Sequence, residues 1–344
     1  MKFLIGDEKV FYDFVNKIKD DDKIAVLSHH DLDGMASVIF LQKILESKGL
    51  KLAFIDFLDY KKGMFDSYFD RFKKSKITKV FLTDVAADDS DFEGFEKLRD
   101  SFDTLMIDHH IINKNLKDKK NIIKNQQRDC TAWVLYNFGK KYYDVEKWDW
   151  LVCATMVAEF SYLDRDNAHF LKERYSDIDE EKIIESEPGV LAMKIEFNLK
   201  YYGGNLFVVY DMLLKKELKE LDRIYEIVNK EFLDSVKKYR KEAEYLQVKK
   251  IYLASFSPKY NLANAVVTRI SQEQKDKIFV IVSERENGKV KVSARNQDGK
   301  GNVDALLKKG IQGLENASAG GHIYAAGASF DKKDLKKFKE NILK

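Results

Sequence analysis

Residues 23–48 read KIAVLSHHDLDGMASVIFLQKILESK, and this stretch decides the class of fold. The apolar run from Lys23 to Leu27 is typical of a strand that is buried on both faces of a parallel sheet. A polar loop with two adjacent histidines, His29 and His30, follows, and Met35 to Lys48 then has the apolar periodicity of a helix. A buried strand that leads through a loop into a helix is the repeating unit of an α/β domain.

Three further apolar runs in the first half predict strands of the same parallel sheet. They lie at Leu52 to Phe57, Lys79 to Thr83 and Thr104 to Ile107, and amphipathic stretches separate them. The second of these strands leads into Asp84 and the third into Asp108-His109-His110. Because ligands of an open parallel sheet bind beyond the carboxyl ends of its strands, we expect these polar side chains to gather at one rim.

Helical patterns dominate the middle of the chain. They extend from Cys130 to Phe138 and from Val145 to Leu163. A charged, amphipathic stretch without proline or glycine runs from Leu213 to Leu246 and predicts a connecting helix. Beyond it, strands are predicted at Lys250 to Phe256, Ile278 to Ser283 and Val290 to Ala294, and helices at Leu262 to Glu273, Val303 to Lys309 and Lys332 to Leu343.

This alternation predicts an α/β protein of two domains. An N-terminal domain with a parallel sheet is expected over residues 1–190, and a helical connector over 191–248. A smaller C-terminal α/β domain is expected over residues 249–344, with a cleft between the two domains.

The composition excludes several classes of protein. The chain of 344 residues contains 60 Lys and Arg against 57 Asp and Glu, and a net charge of +3 is unlike that of a dedicated duplex-DNA binder. No apolar run approaches the roughly 18 residues of a membrane span, and the early charges at the N-terminus favour a cytoplasmic protein. Cys130 and Cys153 are far apart in sequence, so neither a disulfide framework nor a thiolate zinc site is predicted. A metal ion in this protein must therefore bind to His and carboxylate side chains.

The first candidate metal cluster follows the first strand. His29, Asp31 and Asp33 stand at every second position, so their side chains point to one side if the segment stays extended. Gly34 lets the backbone turn into the next helix. The alternative is a polar turn with an aspartate that caps a helix, and a cap is also the ordinary role for Asp84.

The third cluster is Asp108-His109-His110. One imidazole can bind a metal ion while the preceding carboxylate orients a neighbouring imidazole. A mixed set of nitrogen and carboxylate ligands at successive strand ends suits Mn²⁺ or a similar ion. Pairs of such ions serve phosphoryl chemistry.

A fourth cluster lies near the C-terminus, in the sequence SAGGHIYAAGA from Ser318 to Ala328. Gly320 and Gly321 permit close approach of backbone N–H groups to an anion, and His322 offers a donor to a phosphate. Arg295, just past a predicted strand, can hold a phosphate through two hydrogen bonds. The alternatives are a glycine-rich hairpin and an ordinary surface arginine.

Together these residues resemble the DHH phosphoesterases that carry the DHH-associated C-terminal domain. The first motif of the family is matched by His29-x-Asp31-x-Asp33-Gly34, the second by Asp84, the third by Asp108-His109-His110 and the C-terminal motif by Gly320-Gly321-His322-x-x-Ala325-Ala326-Gly327. The resemblance implies that His29 and Asp31 bind one metal ion, that Asp33 and His109 bind the other, and that Asp84 bridges the two.

The fourth motif of the family supplies a further aspartate to the second metal ion, and here the sequence departs from the pattern. The best-aligned position holds Glu159, and Asp164 is a rival. We favour Glu159 as the last metal ligand. If neither side chain binds, the second ion is loosely held or the enzyme is impaired.

The resemblance further implies a phosphodiesterase with two divalent metal ions, most consistent with Mn²⁺, that activate a water molecule between them. Asp108 and His110 are then catalytic, while Arg295, His322 and the Gly320-Gly321 backbone bind the rest of the substrate from the C-terminal domain. The expected substrates are short oligonucleotides or (cyclic) dinucleotides, which are hydrolysed to mononucleotides. A homodimer is plausible by resemblance.

Three alternatives remain open at this point. One is a single-strand-specific exonuclease of the RecJ type, and another is an inorganic pyrophosphatase, which the C-terminal glycine motif disfavours. The third is a protein with the same fold that binds nucleotides or nucleic acid without hydrolysing them, and the glutamate at position 159 is the feature that encourages it.

Overall fold

The computed structural model describes residues 1–112, 114, 116 and 118–343, and the chain divides into two compact units. Unit 1 comprises Met1–Leu221 and unit 2 comprises Asp222–Lys344. This division lies within the connector predicted over residues 191–248. The domain boundaries proposed from the sequence, at 190 and 248, stay predictions.

Unit 1 is built on a six-stranded sheet of mostly parallel strands. In the described part of the chain these strands are β1 (Phe3–Ile5), β2 (Ile24–His29), β3 (Leu52–Leu58), β4 (Lys79–Thr83), β5 (Asp103–Asp108) and β6 (Ile122–Asn125). Their order across the sheet is β1-β6-β5-β4-β2-β3, and only β1 runs antiparallel to its neighbour. The carboxyl ends of β2, β4 and β5, which precede the three predicted clusters, are therefore adjacent.

Helices cover both faces of this sheet. They are α1 (Glu8–Asn16), α2 (Leu32–Ser47), α3 (Tyr68–Ser75), α4 (Ala87–Ser90), α5 (Phe92–Ser101), α6 (Thr131–Gly139), α7 (Asp149–Ala158), α8 (Arg165–Arg174), α9 (Glu187–Tyr202) and α10 (Leu206–Lys215). One apolar core contains side chains of α1, α2, α6, α7 and α9, and a second core on the other face contains those of α3 and α5. Because both faces are covered, the central strands have continuous apolar runs along most of their length, as the sequence pattern indicated.

The single helix expected from Val145 to Leu163 is a wrong prediction. The segment forms a 3₁₀ turn at Val145–Trp148, then α7, and then a second 3₁₀ turn at Ser161–Leu163. Helix α7 ends because Phe160 adopts a left-handed conformation with φ of 55°. This conformation is rare for a bulky side chain, and the apolar periodicity of the sequence does not reveal it.

Unit 2 contains most of the long helix α11 (Leu218–Glu242) and a second six-stranded sheet. Its strands in the described residues are β7 (Glu244–Leu246), β8 (Ile251–Ser255), β9 (Ile278–Glu284), β10 (Lys289–Arg295), β11 (Ser318–His322) and β12 (Ala325–Asp331). Their order is β11-β12-β10-β9-β8-β7, with β8 and β9 parallel and the other pairs antiparallel. The remaining helices are α12 (Ala263–Ser271), α13 (Val303–Gly310) and α14 (Leu335–Leu343).

The two faces of this second sheet are covered by different helices. Side chains of α13 and α14, such as Leu307 and Phe338, share a core with alternate residues of β10 and β12. Helix α12 contacts β9 and β10 and supplies side chains that bond to Arg295 at the end of β10. Among the described residues, no helix has an apolar stretch long enough to cross a membrane.

Candidate metal centre

The segment after β2 does not stay extended, so that part of the prediction is wrong. His29 is the last residue of β2, and Asp31 is the N-cap of α2, where its Oδ1 accepts the N–H of Gly34 at 3.0 Å. Asp33 already lies in the first turn of the helix. The cap and the proposed cluster are compatible, because Asp31 Oδ2 remains 2.6 Å from His29 Nδ1.

Gly34 does not form the turn before the helix that the sequence predicted. It lies inside α2, and a Cβ atom built on it would be 2.0 Å from the carbonyl oxygen of His29. A contact that short is impossible, so glycine is required for the helix to pack against the end of β2. This close approach brings Asp31 and Asp33 next to the strand ends.

Asp84 lies at the centre of the cluster. Its Oδ2 is 3.8 Å from His29 Nδ1, and its Oδ1 is 3.4 Å from His109 Nε2. The carboxylate is 1% exposed, and neither oxygen has a hydrogen-bond partner among the described residues. Its backbone is in the left-handed region, with φ of 56°. A buried, unpaired carboxylate on a strained backbone is a costly arrangement that folding alone does not explain.

Asp33 and His109 lie on another side of Asp84. The Asp33 carboxylate accepts the N–H groups of Thr131 and Ala132, each at 2.8 Å, at the start of α6. Its Oδ2 is 3.6 Å from His109 Nε2. Because His109 Nδ1 is 2.9 Å from the carbonyl oxygen of Gln127, it must donate a proton there, and Nε2 is left as the free ring nitrogen. A free Nε2 among carboxylates is the arrangement that a metal ion requires.

His110 is oriented by Asp108. The Nδ1 atom of His110 is 2.7 Å from Asp108 Oδ1, and the Nε2 atom is 3.3 Å from the hydroxyl of Tyr60. Burial alone would raise the pKa of Asp108, but His110 and Lys124 outweigh it and hold the pKa below its usual range. Asp108 is therefore an ionised acceptor that is fully engaged by protein groups.

The described residues contain two sets of three potential ligands. In each set, one ligand atom per residue lies within 4.8 Å of the others, and the sets are His29 with Asp31 and Asp84, and Asp84 with His109 and His110. Asp84 belongs to both sets. Two neighbouring positions for cations that share one carboxylate are what a two-metal site needs.

The electrostatics of the cluster also fit cations. Burial, with the charges of Asp33 and Asp31, raises the pKa of Asp84 well above its usual range. Burial is also the main cause that raises the pKa of Asp33 and that of Glu159, and Asp31 adds to both. Carboxylates held this close together repel one another unless a positive charge lies between them. The residues present therefore fit divalent metal ions.

Glu159 and its rival Asp164 have different surroundings. Glu159 follows α7 and is half-buried, and burial together with the charges of Asp31 and Asp33 raises the pKa of its carboxyl group. Asp164 is instead the N-cap of α8, where it accepts the N–H of Asp166 at 3.0 Å. Glu159 is also among the charges that raise the pKa of Asp84, and its assignment as the last metal ligand stays a prediction.

Three residues near the cluster were not predicted from the sequence. The ring of Tyr60 stacks on His29 with centroids 4.3 Å apart, and its hydroxyl donates to the carbonyl oxygen of Asp84 at 3.0 Å. Lys124 contacts Asp108, and Glu196 of α9 accepts a hydrogen bond from the backbone at the start of α2. Only Lys124 could have been recognised from the sequence. It lies in an apolar strand, and a lysine is almost never fully buried unless it is paired.

In unit 2, Arg295 and His322 lie in the same register of the sheet. Arg295 of β10 and His322 of β11 are both opposite Ala325 of β12, the strand that lies between them. Residues directly opposite each other share a face, so both side chains leave the same side of the sheet. Arg295 Nε donates to Thr268 Oγ1 at 3.1 Å, and Asn264 binds another guanidinium nitrogen. Burial lowers the pKa of Arg295 to about 10, so the group stays charged at neutral pH.

The glycine motif is a strand of a hairpin. Gly320, Gly321 and His322 belong to β11, which is antiparallel to β12, and His322 is exposed. Gly321 has φ of 147°, and a Cβ atom on it would be 2.3 Å from the carbonyl oxygen of Ala325. The hairpin that sequence reasoning left as an alternative is present, and it presents the predicted donors at its exposed edge.

A rim of parallel strands that carries a shared carboxylate between imidazoles defines an α/β metal-site protein of the phosphoryl-transfer type. Two family models match: the DHH family, N-terminal domain, over residues 23–178, and the DHHA1 domain over residues 247–344. The chain belongs to the DHH family of metal-dependent phosphoesterases and carries a DHHA1 domain. No curated protein sequence matches it.

Several solved structures share the fold. RecJ in complex with Mn²⁺ from Thermus thermophilus is 15% identical with a TM-score of 0.74, and the match covers 98% of this chain and 54% of that one. Exonuclease RecJ bound to manganese is 15% identical with a TM-score of 0.71, over 97% and 92% of the two chains. An exopolyphosphatase-related protein from Bacteroides fragilis is 16% identical with a TM-score of 0.60, over 97% and 95%. The chain thus spans about half the length of the Thermus protein.

Proposed function

We propose that the chain is a two-metal-ion phosphodiesterase that hydrolyses short oligonucleotides or (cyclic) dinucleotides to mononucleotides. The observation that carries this proposal is the buried carboxylate of Asp84. Neither of its oxygens has a hydrogen-bond partner among the described residues, and imidazoles from two strand ends face them. A pair of divalent cations would supply the missing positive charge.

The proposed ligands are those that the family resemblance implies, and the short distances within the cluster support them. His29 and Asp31 would bind one ion, Asp33 and His109 would bind the other, and Asp84 would bridge them. Glu159 would complete the second set, and the effect of Asp31 and Asp33 on the pKa of its carboxyl group supports this assignment. We propose Mn²⁺ as the native ion because mixed nitrogen and carboxylate ligands suit it, and two of the similar RecJ structures contain manganese.

When bound, the ions would lower the pKa of a water molecule and neutralise the phosphoryl oxygens. The protein supplies the rest of the chemistry. His110, held through Nδ1 by Asp108, directs Nε2 away from that carboxylate and can donate from it to a phosphoryl oxygen. Tyr60 stacks on His29 and so fixes the plane of that ring. No covalent intermediate with the protein is needed.

Unit 2 would bind the remaining part of the substrate. Arg295 is fixed by Thr268 and Asn264 before any substrate arrives, so little side-chain entropy is lost on binding a phosphate. His322, exposed on the same face of the sheet, and the backbone of Gly320 and Gly321 would add further donors.

The charge balance favours short substrates. With 60 basic and 57 acidic residues, the chain lacks the excess of positive charge that neutralises many phosphates along a strand. A single-strand exonuclease of the RecJ type is the second candidate, because two RecJ structures share the fold with TM-scores above 0.7. The cytoplasmic location and the homodimer expected from the sequence stay predictions.

Product analysis with a matched pair of variants tests the proposal. Wild type, Asp84→Asn and Asp164→Asn would be incubated with Mn²⁺, Mg²⁺ or EDTA and with RNA dinucleotides, cyclic dinucleotides, long single-stranded DNA and polyphosphate. We expect mononucleotides from the short substrates with wild type and Asp164→Asn, and none with Asp84→Asn or EDTA. Cleavage of long DNA alone would favour the RecJ-type function, and binding of nucleotides without any product would refute hydrolysis.

A further inference from the structure

Lys124 is a fully buried cation beside the metal centre that the mechanism above does not use. It lies on β6, where the sheet register places it directly opposite Asp108 of β5. Its Nζ atom is 2.9 Å from Asp88 Oδ1 and 2.5 Å from Asp108 Oδ2, and all three side chains are 0% exposed. The carbonyl oxygen of His110 is a third contact, at 3.4 Å.

The two carboxylate oxygens of Asp108 contact different partners. Oδ2 is bound by Lys124, and Oδ1 is bound by the Nδ1 atom of His110 at 2.7 Å. A carboxylate held at one oxygen by a rigid charged partner cannot rotate about its Cβ–Cγ bond without breaking that contact. Lys124 therefore restricts the orientation of the His110 imidazole ring through Asp108.

We propose that Lys124 is a positioning residue that fixes Asp108 and, through it, the ring of His110 at the metal centre. This inference rests on the proposed function, in which His110 Nε2 donates to the substrate. Tyr60, 3.3 Å from Nε2, limits the ring on its other side but does not bond to Asp108. Partners that orient the groups around a metal site commonly change activity by about 10-fold to 100-fold when they are removed.

A purely structural role is the competing explanation, since Lys124 also neutralises two buried carboxylates. Lys124→Met alone would remove the cation from between two buried carboxylates, and removal of one partner of a buried pair commonly costs about 3–5 kcal/mol, so that variant can fail to fold. The double variant Lys124→Met/Asp88→Asn removes one charge of each sign and leaves residues Asp108 and His110 unsubstituted. Asp149→Asn/Arg174→Met is the matched control, because it removes an ion pair of 3.1 Å at the far end of α7.

Kinetics on the substrate found by product analysis provide the first readout. We expect Lys124→Met/Asp88→Asn to lower kcat by about 10-fold or more with KM changed less than about threefold, and the control pair to change neither. In a His110→Ala background, the same double substitution should have no further effect on kcat. An equal loss of kcat with and without His110 would overturn the proposal, because Lys124 would then not act through that ring.

An NMR readout does not depend on activity. In wild-type protein with ¹⁵N-labelled histidine and Mg²⁺, the Nδ1–H bonded to Asp108 should give a downfield resonance, assigned by its loss in His110→Ala. The resonance should be retained in the control pair and lost in Lys124→Met/Asp88→Asn. If it persists there unchanged, the positioning role is refuted, whether or not the protein hydrolyses phosphodiesters. If it is lost while wild type is inactive on every substrate, the positioning role stands and the proposed function fails.

Discussion

Substitution of Asp84 by asparagine should stabilise the metal-free protein although it abolishes activity. The carboxylate is buried without a hydrogen bond from any described residue, and its charge adds to those of Asp31 and Asp33. A buried unsatisfied polar group costs about 1–3 kcal/mol, and a charged one costs more. Asparagine keeps the size of the side chain and removes the charge, so we expect a gain of about 2 kcal/mol in the free energy of unfolding.

The expected shift in melting temperature follows from the size of the unit. For a unit the size of Met1–Leu221, each kcal/mol changes Tm by about 2–4 °C, so Asp84→Asn should melt about 4–8 °C higher than wild type in EDTA. With added Mn²⁺, wild type should instead melt at a higher temperature than Asp84→Asn. At about 100 times the dissociation constant, ligand binding stabilises wild type by about 2.7 kcal/mol, whereas the variant lacks the shared ligand and should gain little.

Differential scanning calorimetry in EDTA and in a Mn²⁺ series measures both effects. Asp164→Asn is the control, because asparagine can keep the N-cap of α8, so the free energy of unfolding should be nearly unchanged both with and without metal. If Asp84→Asn is less stable than wild type in EDTA, or if Mn²⁺ raises its Tm as much as that of wild type, the carboxylate is not an unpaired metal ligand.

Three further substitutions, one of them with a matched control, test other parts of the structure. Gly34→Ala places a methyl group 2.0 Å from the carbonyl oxygen of His29, so chemical denaturation should show a loss of about 2 kcal/mol or more, and metal binding should weaken. Gly321→Ala should destabilise unit 2 in thermal melts, because its Cβ atom would be 2.3 Å from a backbone oxygen. Gly320→Ala is the control: a Cβ atom at position 320 would have no heavy atom within 4 Å, so this variant should melt like wild type. Arg295→Met should raise KM at least 10-fold in steady-state assays, since loss of a charged hydrogen-bond donor costs about 1.5–3 kcal/mol, and an unchanged KM would exclude the residue from substrate binding.

The parallel strands could be predicted from the sequence, because strands buried on both faces leave continuous apolar runs. Lys79–Thr83 matches its predicted bounds, and β2 and β5 are displaced by one or two residues at their ends. Strand β6 was missed because Lys124 interrupts an apolar run that is too short to be recognised. That lysine is buried only because carboxylates from other segments surround it, which is a tertiary property that no local pattern contains.

The choice between Glu159 and Asp164 could not be made from the sequence for a related reason. Both follow an apolar helical stretch, and the periodicity continues through them to Leu163. The backbone turn at Phe160 separates them, and Asp164 serves as the N-cap of the next helix. A single residue in the left-handed region thus gives the two carboxylates different surroundings, which the apolar periodicity does not reveal.

Asp108 and three nearby carboxylates of unit 1 differ in their electrostatics, and the difference argues for a functional site. Asp108 has a pKa below its usual range because, although burial acts to raise it, His110 and Lys124 neutralise it. Asp33, Asp84 and Glu159 have raised pKa values, chiefly through burial. Asp84 has no hydrogen-bond partner among the described residues, whereas Asp108 has both Lys124 and His110. Divalent ions beside Asp84 would supply the positive charge that this arrangement favours.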